Sequence, residues 1–341
     1  MTTKFDIAIL GATGAVGETL LEILAERKFP VGKIYCLASE KSAGQTVLFK
    51  NKPILVQDAE NFDFSTVQIC FSAVEAPITK KYAPRAADAG CVVIDKSSQF
   101  RYDPDVPLVI PEVNPEALEN YRERNIIAVP NCSTIPILVA LKPIYDAVDV
   151  ERMNIATYQS VSGAGKNGIE ELTEQTRNLF NNKSIKIKYF PVQIAFNIIP
   201  HIDEFLENGY TKEEMKIVWE SQKILNDQNI QINPTAVRVP VFYGHSAAVH
   251  IETRDKISAD DARELLRQSP GIIVIDEHKS GGYPTPVILA EHKDAVFVGR
   301  IREDISHPLG LDFWVMADNV RKGAALNAVQ IAELLVRDYL V

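Results

Sequence analysis

Cysteine is scarce and scattered in this chain. The 341 residues hold four, Cys36, Cys70, Cys91 and Cys132, far apart and with no CxxC pair among them. That spacing disfavours structural zinc and a disulfide framework, and makes a reducing cytoplasm the expected compartment. Long apolar runs are missing too, since nowhere do roughly eighteen hydrophobic residues follow one another, so no membrane span is expected. The opening "MTTKFDIAIL" carries one lysine and too short an apolar run for a secretory signal. Nor is there an excess of positive charge. Lys and Arg number 36 against 45 Asp and Glu, a net charge of -9. This argues against a general nucleic-acid or anionic-membrane surface, which needs a basic face. A small anionic substrate remains compatible, because a pocket needs only a few local cations. Internal repeats, low-complexity segments and Gly/Ser linkers are likewise absent.

What is present is ordinary globular material, 46% hydrophobic and 24% charged. At this length two domains are expected. The first third alternates strand and helix: "FDIAIL", the helical "ETLLEILAER", "KIYCLAS", "VQICFSAV", the helical "ITKKYAPRAADAG" closed by Gly90, then "CVVIDKS". Such units predict a parallel sheet with helices on both faces. Beyond Cys132 longer strands follow, "MNIATYQSV", "AVRVPVF", "AAVHIET", "GIIVID", "AVFVGRIRE" and "LGLDFWVMAD", with hairpin-like or helical links that suit a mixed sheet. The fold class is therefore α/β: a Rossmann-type parallel-sheet dinucleotide-binding domain, residues 1-132, and an α+β catalytic domain, residues 133-318. The closing helical pattern "DNVRKGAALNAVQIAELLVRDYL" returns to complete the first domain with residues 319-341.

In "ILGATGAVGETLLEIL", Gly11, Gly14 and Gly17 follow the first strand and open a helix. Glycines let the backbone turn tightly and approach a pyrophosphate at the helix N-terminus. The spacing is GxxGxxG rather than the more familiar GxGxxG, but the strand and helix stand where a dinucleotide site needs them. Thr13, Ala15 and Val16 belong to the same turn. The second strand ends in "LASEKSAGQ". Ser39, Lys41 and Ser42 fit the 2′-phosphate of NADP, whereas Glu40 fits the 2′-hydroxyl of NAD. The expectation is NADP.

The stretch "IIAVPNCSTIPILVALKPI" puts Cys132 where a strand gives way to a helix, with Ser133, Thr134 and Pro136 as helix-start residues. A thiol there feels the positive end of the helix dipole, which favours the thiolate. The other three cysteines lie in apolar strand patterns, where a small buried hydrophobe is the simpler reading. A nucleophile needs a base and orienting groups. "YQSVSGAGKNG" supplies Gln159 at a strand end before a glycine-rich turn, and "RVPVFYGHSAAVHIE" supplies Arg238 and, after a turn, His245. His250 reads as a satisfied strand histidine.

Taken together, "GATGAVG", "DKSSQFR", "VPNCST", "YQSVSGAG", "ESQKIL", "VRVPVFYGHS" and "DNVRKGAA" make the chain resemble the aspartate-semialdehyde dehydrogenases from Gly11 to the last helix. The resemblance implies Cys132 as acyl-forming nucleophile, His245 as acid/base and Gln159 as an orienting group. It implies Arg238 on the substrate carboxylate, Glu220 on the substrate ammonium, and Arg101, Asn131 and Lys223 on phosphate. Ser162, Gly163 and Asn319 would complete the NADP site. A homodimer built through the second domain, a small-molecule substrate and inorganic phosphate are implied too. The implied reaction is reduction of aspartyl phosphate by NADPH through a cysteine thioester, in lysine, threonine, methionine and isoleucine biosynthesis. One departure bears on the cofactor: Lys41 stands where many members carry arginine.

Two other readings compete. N-acetyl-glutamyl-phosphate reductase runs the same chemistry, but its cysteine sits in a "GCYPT"-like stretch and its substrate has no free amino group. A non-catalytic dinucleotide sensor would need the glycine turn but not an activated thiol with a histidine.

Overall fold

The computed structural model describes residues 3–289 and 293–340. It divides into two compact units, one of residues 1–131 with 324–341 and one of residues 132–323.

The first unit is a seven-stranded sheet. Its strands are β1 (Phe5–Leu10), β2 (Val31–Ala38), β3 (Thr46–Phe49), β4 (Lys52–Asp58), β5 (Ile69–Ser72), β6 (Val92–Asp95) and β7 (Ile126–Ala128), in the order β3-β4-β2-β1-β5-β6-β7. All pairings are parallel except the β3–β4 hairpin at the edge. Central strands covered on both faces need unbroken apolar sequence, and β5 and β6 are buried at every position. Helices α1 (Ala15–Glu26) and α2 (Ala76–Asp88) make two of the crossovers. The C-terminal helix, Leu326–Asp338, is part of this unit. Arg27 holds its Glu333 with two hydrogen bonds of 2.8 and 2.7 Å, and Asn327 donates to the Val109 carbonyl at 2.9 Å.

The turn between β1 and α1 shows why glycine is required. Gly11 has φ of +86°, a left-handed conformation that costs other residues dearly. A Cβ on Gly17 would stand 2.2 Å from the Gly11 carbonyl oxygen. Gly14, the residue before α1, makes no side-chain cap, and a Cβ there would meet nothing closer than 3.4 Å.

The second unit is built on a six-stranded mixed sheet. Helix α3 (Thr134–Val148) leads into β8 (Val150–Gln159), α4 (Gly165–Phe180), α5 (Lys212–Leu225), β9 (Gln231–Arg238) and β10 (His245–Thr253). Then come α6 (Ala259–Gln268), β11 (Ile272–Val274), β12 (Val296–Glu303) and β13 (Gly310–Ala317), giving the order β11-β12-β13-β10-β8-β9. The edge pairs β11–β12 and β8–β9 are parallel and the inner pairs antiparallel. Helix α5 opens with a capping box: Thr211 accepts from the Glu214 N–H, and Glu214 accepts from the Thr211 N–H. Among the described residues no helix is long and apolar enough to cross a membrane.

The glycine contacts give a prediction. Gly17→Ala should cost roughly 1–3 kcal/mol of stability, the scale of overpacking, while Gly14→Ala should stay within about 1 kcal/mol. Urea unfolding of the two variants checks this; equal midpoints would contradict the assignment.

Candidate active site

Sheet register, more than any loop, gathers the second unit's polar side chains. Gln159 is the last residue of β8 and pairs with Arg238, the last of the parallel strand β9. Strand β10 runs the other way, so its first residue, His245, comes to the same end of the sheet. His245 pairs with Ala317 at the end of β13, and Asn319 follows two residues later. Four expected site residues thus share one sheet end, and all four are buried.

His245 is fixed through one ring nitrogen. The Ser160 amide N–H donates to Nδ1 at 3.1 Å, and the Ser160 hydroxyl lies 3.1 Å from the same atom. An amide can only donate, so the neutral ring carries its proton on Nε2. Nε2 is buried without a hydrogen-bond partner. Burial, and after it the Arg238 charge, hold this imidazole well below its usual range, against a smaller opposing contribution from the Gly244 backbone. Arg238 Nη1 donates to the Ser160 carbonyl at 2.7 Å. In front of both lies Gly163, where a Cβ would come within 2.9 Å of His245 Nε2 and 3.0 Å of Arg238 Nη1. The missing side chain leaves that space open.

Cys132 stands two residues before α3, one further out than its N-cap Ser133, whose side chain makes no cap bond. It is partly exposed, whereas Cys36, Cys70 and Cys91 are buried. Burial pushes the Cys36 thiol up to about 11 and the Cys70 thiol up to about 12, and raises Cys91 further, so these three are inert at neutral pH. The Cys132 sulfur and the Arg238 guanidinium attract each other electrostatically. Ser133, Pro136 and His245 line one small cavity, which puts the start of α3 beside the histidine.

The carboxylate that meets Gln159 belongs to Glu213. Gln159 Nε2 donates to Glu213 Oε1 at 3.2 Å, and Lys216 Nζ lies 3.0 Å from the Glu213 carboxylate and 2.7 Å from Asp203. Burial alone would raise Glu213, but Lys216, Arg238 and Gln159 outweigh it and the carboxyl falls below its usual range. Glu220 is fully buried on the same face of α5, two turns and about 10 Å further along the axis. The expected pair, Glu220 and Lys223, lies seven residues after Glu213 and Lys216 on this helix. The helix precedes an adjacent strand and packs antiparallel to it, as the Glu214 bond to the Ala236 N–H (2.9 Å) shows. Its start, not its end, therefore lies level with Arg238. The sequence held that signal: the capping box marks the helix start, and Glu213 and Lys216 have the same i,i+3 spacing.

Asn319 Oδ1 accepts from Ser160 Oγ (3.1 Å), Ser162 Oγ (3.0 Å) and the Gly244 N–H (2.9 Å). Its carbonyl therefore organises the two turns around His245, and only its amide nitrogen is left to face a ligand. His250 lies 3.3 Å from Asp312, a satisfied strand histidine.

The first unit carries the other expected groups. Arg101 is buried, donating from Nε to the Val129 carbonyl (2.9 Å) and from Nη2 to that of Lys96 (2.8 Å), so part of its fork is committed to backbone. Asn131 is buried too. Ser39, Glu40 and Lys41 are exposed on a short 3₁₀ turn after β2, with Ser42 half-buried behind them. Gly11, Gly14 and Gly17, with Thr13, Ala15 and Val16, form the turn described above, whose open helix start suits a pyrophosphate.

Comparison with known proteins agrees with both units. Residues 6–121 match the family model "Semialdehyde dehydrogenase, NAD binding domain", and residues 141–322 match "Semialdehyde dehydrogenase, dimerisation domain". Aspartate-semialdehyde dehydrogenase 2 of Vibrio cholerae is 60% identical over 99% of this chain and 100% of its own length. The chain belongs to the aspartate-semialdehyde dehydrogenase family. The Shewanella violacea member is 58% identical over 99% of this chain and 100% of itself. A crystal structure of the Vibrio cholerae enzyme II, complexed with ASA, superposes with a TM-score of 0.97 at 59% identity, covering 99% of this chain and 100% of that one. The family has a nicotinamide-dinucleotide-binding domain, which the glycine turn of the first unit fits.

The buried histidine gives a pH prediction. Below about pH 6.5 an unfolded chain protonates this imidazole and the folded protein does not, so stability falls as pH falls. His245→Gln keeps an acceptor for Ser160 but removes that proton. Between about pH 6.5 and 5 its stability should decline less steeply than wild type, by up to about 1.4 kcal/mol per pH unit. Urea titrations at several pH values measure the slope; parallel curves would contradict it.

Proposed function

We propose that this enzyme reduces L-aspartyl 4-phosphate with NADPH to L-aspartate 4-semialdehyde and phosphate, through a thioester on Cys132. The observation that carries the reading is a single part-exposed cysteine at a helix start, electrostatically coupled to Arg238 and set beside His245. Gly11, Thr13, Gly14, Ala15, Val16 and Gly17, with Ser39, Lys41 and Ser42, would hold the cofactor, joined by Ser162, Gly163 and Asn319. When bound, NADPH supplies the hydride.

The Cys132 thiolate attacks the acyl carbon, the carbon–oxygen bond to phosphate breaks, and inorganic phosphate leaves with the electron pair. Reduction of the thioester gives a thiohemiacetal oxyanion on Cys132. His245, whose Nε2–H is buried and aimed at the space Gly163 leaves, donates to that oxygen. Collapse of the thiohemiacetal returns that proton to His245 Nε2, re-forms the carbonyl, breaks the carbon–sulfur bond and releases the thiolate. Arg238 pairs with the substrate carboxylate, and Gln159 orients the acyl group. The ammonium falls to Glu213, whose carboxylate is held ionised among Gln159, Arg238 and Lys216. Lys216, with Arg101 and Asn131, takes the phosphate.

A homodimer through the second unit is part of the reading. Its support is the dimerisation-domain match and an open hollow on one sheet face, lined by Asn154, Thr235, His250, Arg302 and Trp314. Four free thiols fit a reducing cytoplasm.

An assay with aspartate semialdehyde, NADP and phosphate tests the whole reading. Turnover should require phosphate, and Cys132→Ala should abolish it while NADPH still binds; phosphate-independent turnover, or an active Cys132→Ala enzyme, would overturn it. Glu213→Gln should raise the KM for aspartate semialdehyde roughly tenfold or more, the scale of one charged hydrogen bond. Glu220→Gln should cost stability instead. Lys41→Ala should raise the KM for NADP and leave that for NAD nearly unchanged. Equal use of both cofactors by wild type would give the loop to Glu40.

A further inference from the structure

A short turn after β13 carries a glycine with no role so far. Three bonds fix the turn internally. Asp318 Oδ1 accepts from the Val320 N–H (2.8 Å) and the Arg321 N–H (2.9 Å), and the Asp318 carbonyl accepts from the Gly323 N–H at 3.0 Å. The last bond spans five residues and leads into a π turn, Arg321–Ala325. Single π turns inside helical segments are uncommon and cluster at functional positions. Asn319 then ties the turn to Ser160, Ser162 and Gly244, the residues that frame His245. The Arg321 Nε–H donates to Asp294 at 2.7 Å. A loop held from both sides in this way has little freedom to move.

Its far end lies against the backbone and Cβ of Cys132. A Cβ built on Gly323 would lie 2.9 Å from the Cys132 Cβ and 3.2 Å from both the Cys132 Cα and its carbonyl oxygen. Gly323 has no left-handed φ, so its backbone would accept alanine, and alanine is the better helix former. The space, not the conformation, requires glycine. We propose that Gly323 is a positioning residue for Cys132: the turn that holds the His245 frame through Asn319 also seats the backbone of Cys132 against a bare Cα. The direction of the sulfur is thereby set relative to the start of α3 and to Arg238. The proposal rests on the reading of Cys132 as nucleophile, but its test does not need turnover.

The test is alkylation of Cys132 by iodoacetamide as a function of pH, in wild type and Gly323→Ala, read by mass spectrometry of the Cys132 peptide. Displacing the thiol from the helix start and from Arg238 should move the alkylation midpoint to higher pH. The kcat should fall by about 10²-fold, the cost of a small misplacement of a reacting group. A midpoint that does not move overturns the proposal, whatever kcat does, because a merely structural glycine leaves the thiol's titration alone. If Gly323→Ala fails to fold, the double variant Cys132→Gly/Gly323→Ala decides. It lacks the atom at 2.9 Å, so it should fold; failure of both would overturn the proposal. Failure of the nucleophile reading would look different, as turnover by Cys132→Ala with the alkylation shift intact.

Discussion

The site of the second unit depends on one constraint, the register of the β8, β9 and β10 ladders. Because β9 runs parallel to β8 and β10 antiparallel to it, the last residues of two strands and the first of the third meet at one edge. A slip of one residue in any one of these strands would turn its own member of Gln159, Arg238 and His245 to the opposite face, away from the other two. The register is defended by apolar residues that cannot be exposed, among them Met153, Ile155, Val249 and Ile251. Stability of the sheet and geometry of the site are therefore the same property.

Burial then makes the polar groups at that edge depend on one another. A guanidinium and an ammonium inside protein need a partner, and Glu213 serves both Arg238 and Lys216 while accepting from Gln159. The Arg238 charge in turn disfavours protonation of His245, which is already resisted by burial. The outcome is a neutral imidazole with its N–H turned to the open space. Such a group can meet a developing oxyanion without first losing a proton to solvent.

Much of this was legible in the sequence, where local pattern and function coincide. The strand–glycine–helix turn, the cysteine at the strand-to-helix junction and the histidine after a Tyr-Gly turn all carry their signal within a few residues. The capping box gave α5 its start correctly. What spacing could not show was which i,i+3 pair on α5 lies level with Gln159 and Arg238, since Glu213–Lys216 and Glu220–Lys223 are alike in sequence. That choice is made by the antiparallel packing of α5 on β9, a tertiary fact. The β3–β4 hairpin, the sharing of the Asn319 oxygen among three donors and the closeness of Gly323 to Cys132 also depend on residues distant in sequence. The order of the sheets follows from pairing, and no single segment encodes it.

In the proposed reaction one thiol of four carries the acyl group, selected by its place at a helix start and by burial of the other three. The most direct measurement is to mix the enzyme with aspartate semialdehyde and NADP in the absence of phosphate, quench in acid, and map the acylated peptide by mass spectrometry. The expected product is an aspartyl thioester on the peptide holding Cys132, discharged when phosphate is added before the quench. Acyl label on Cys36, Cys70 or Cys91, or turnover with no label on any cysteine, would contradict it.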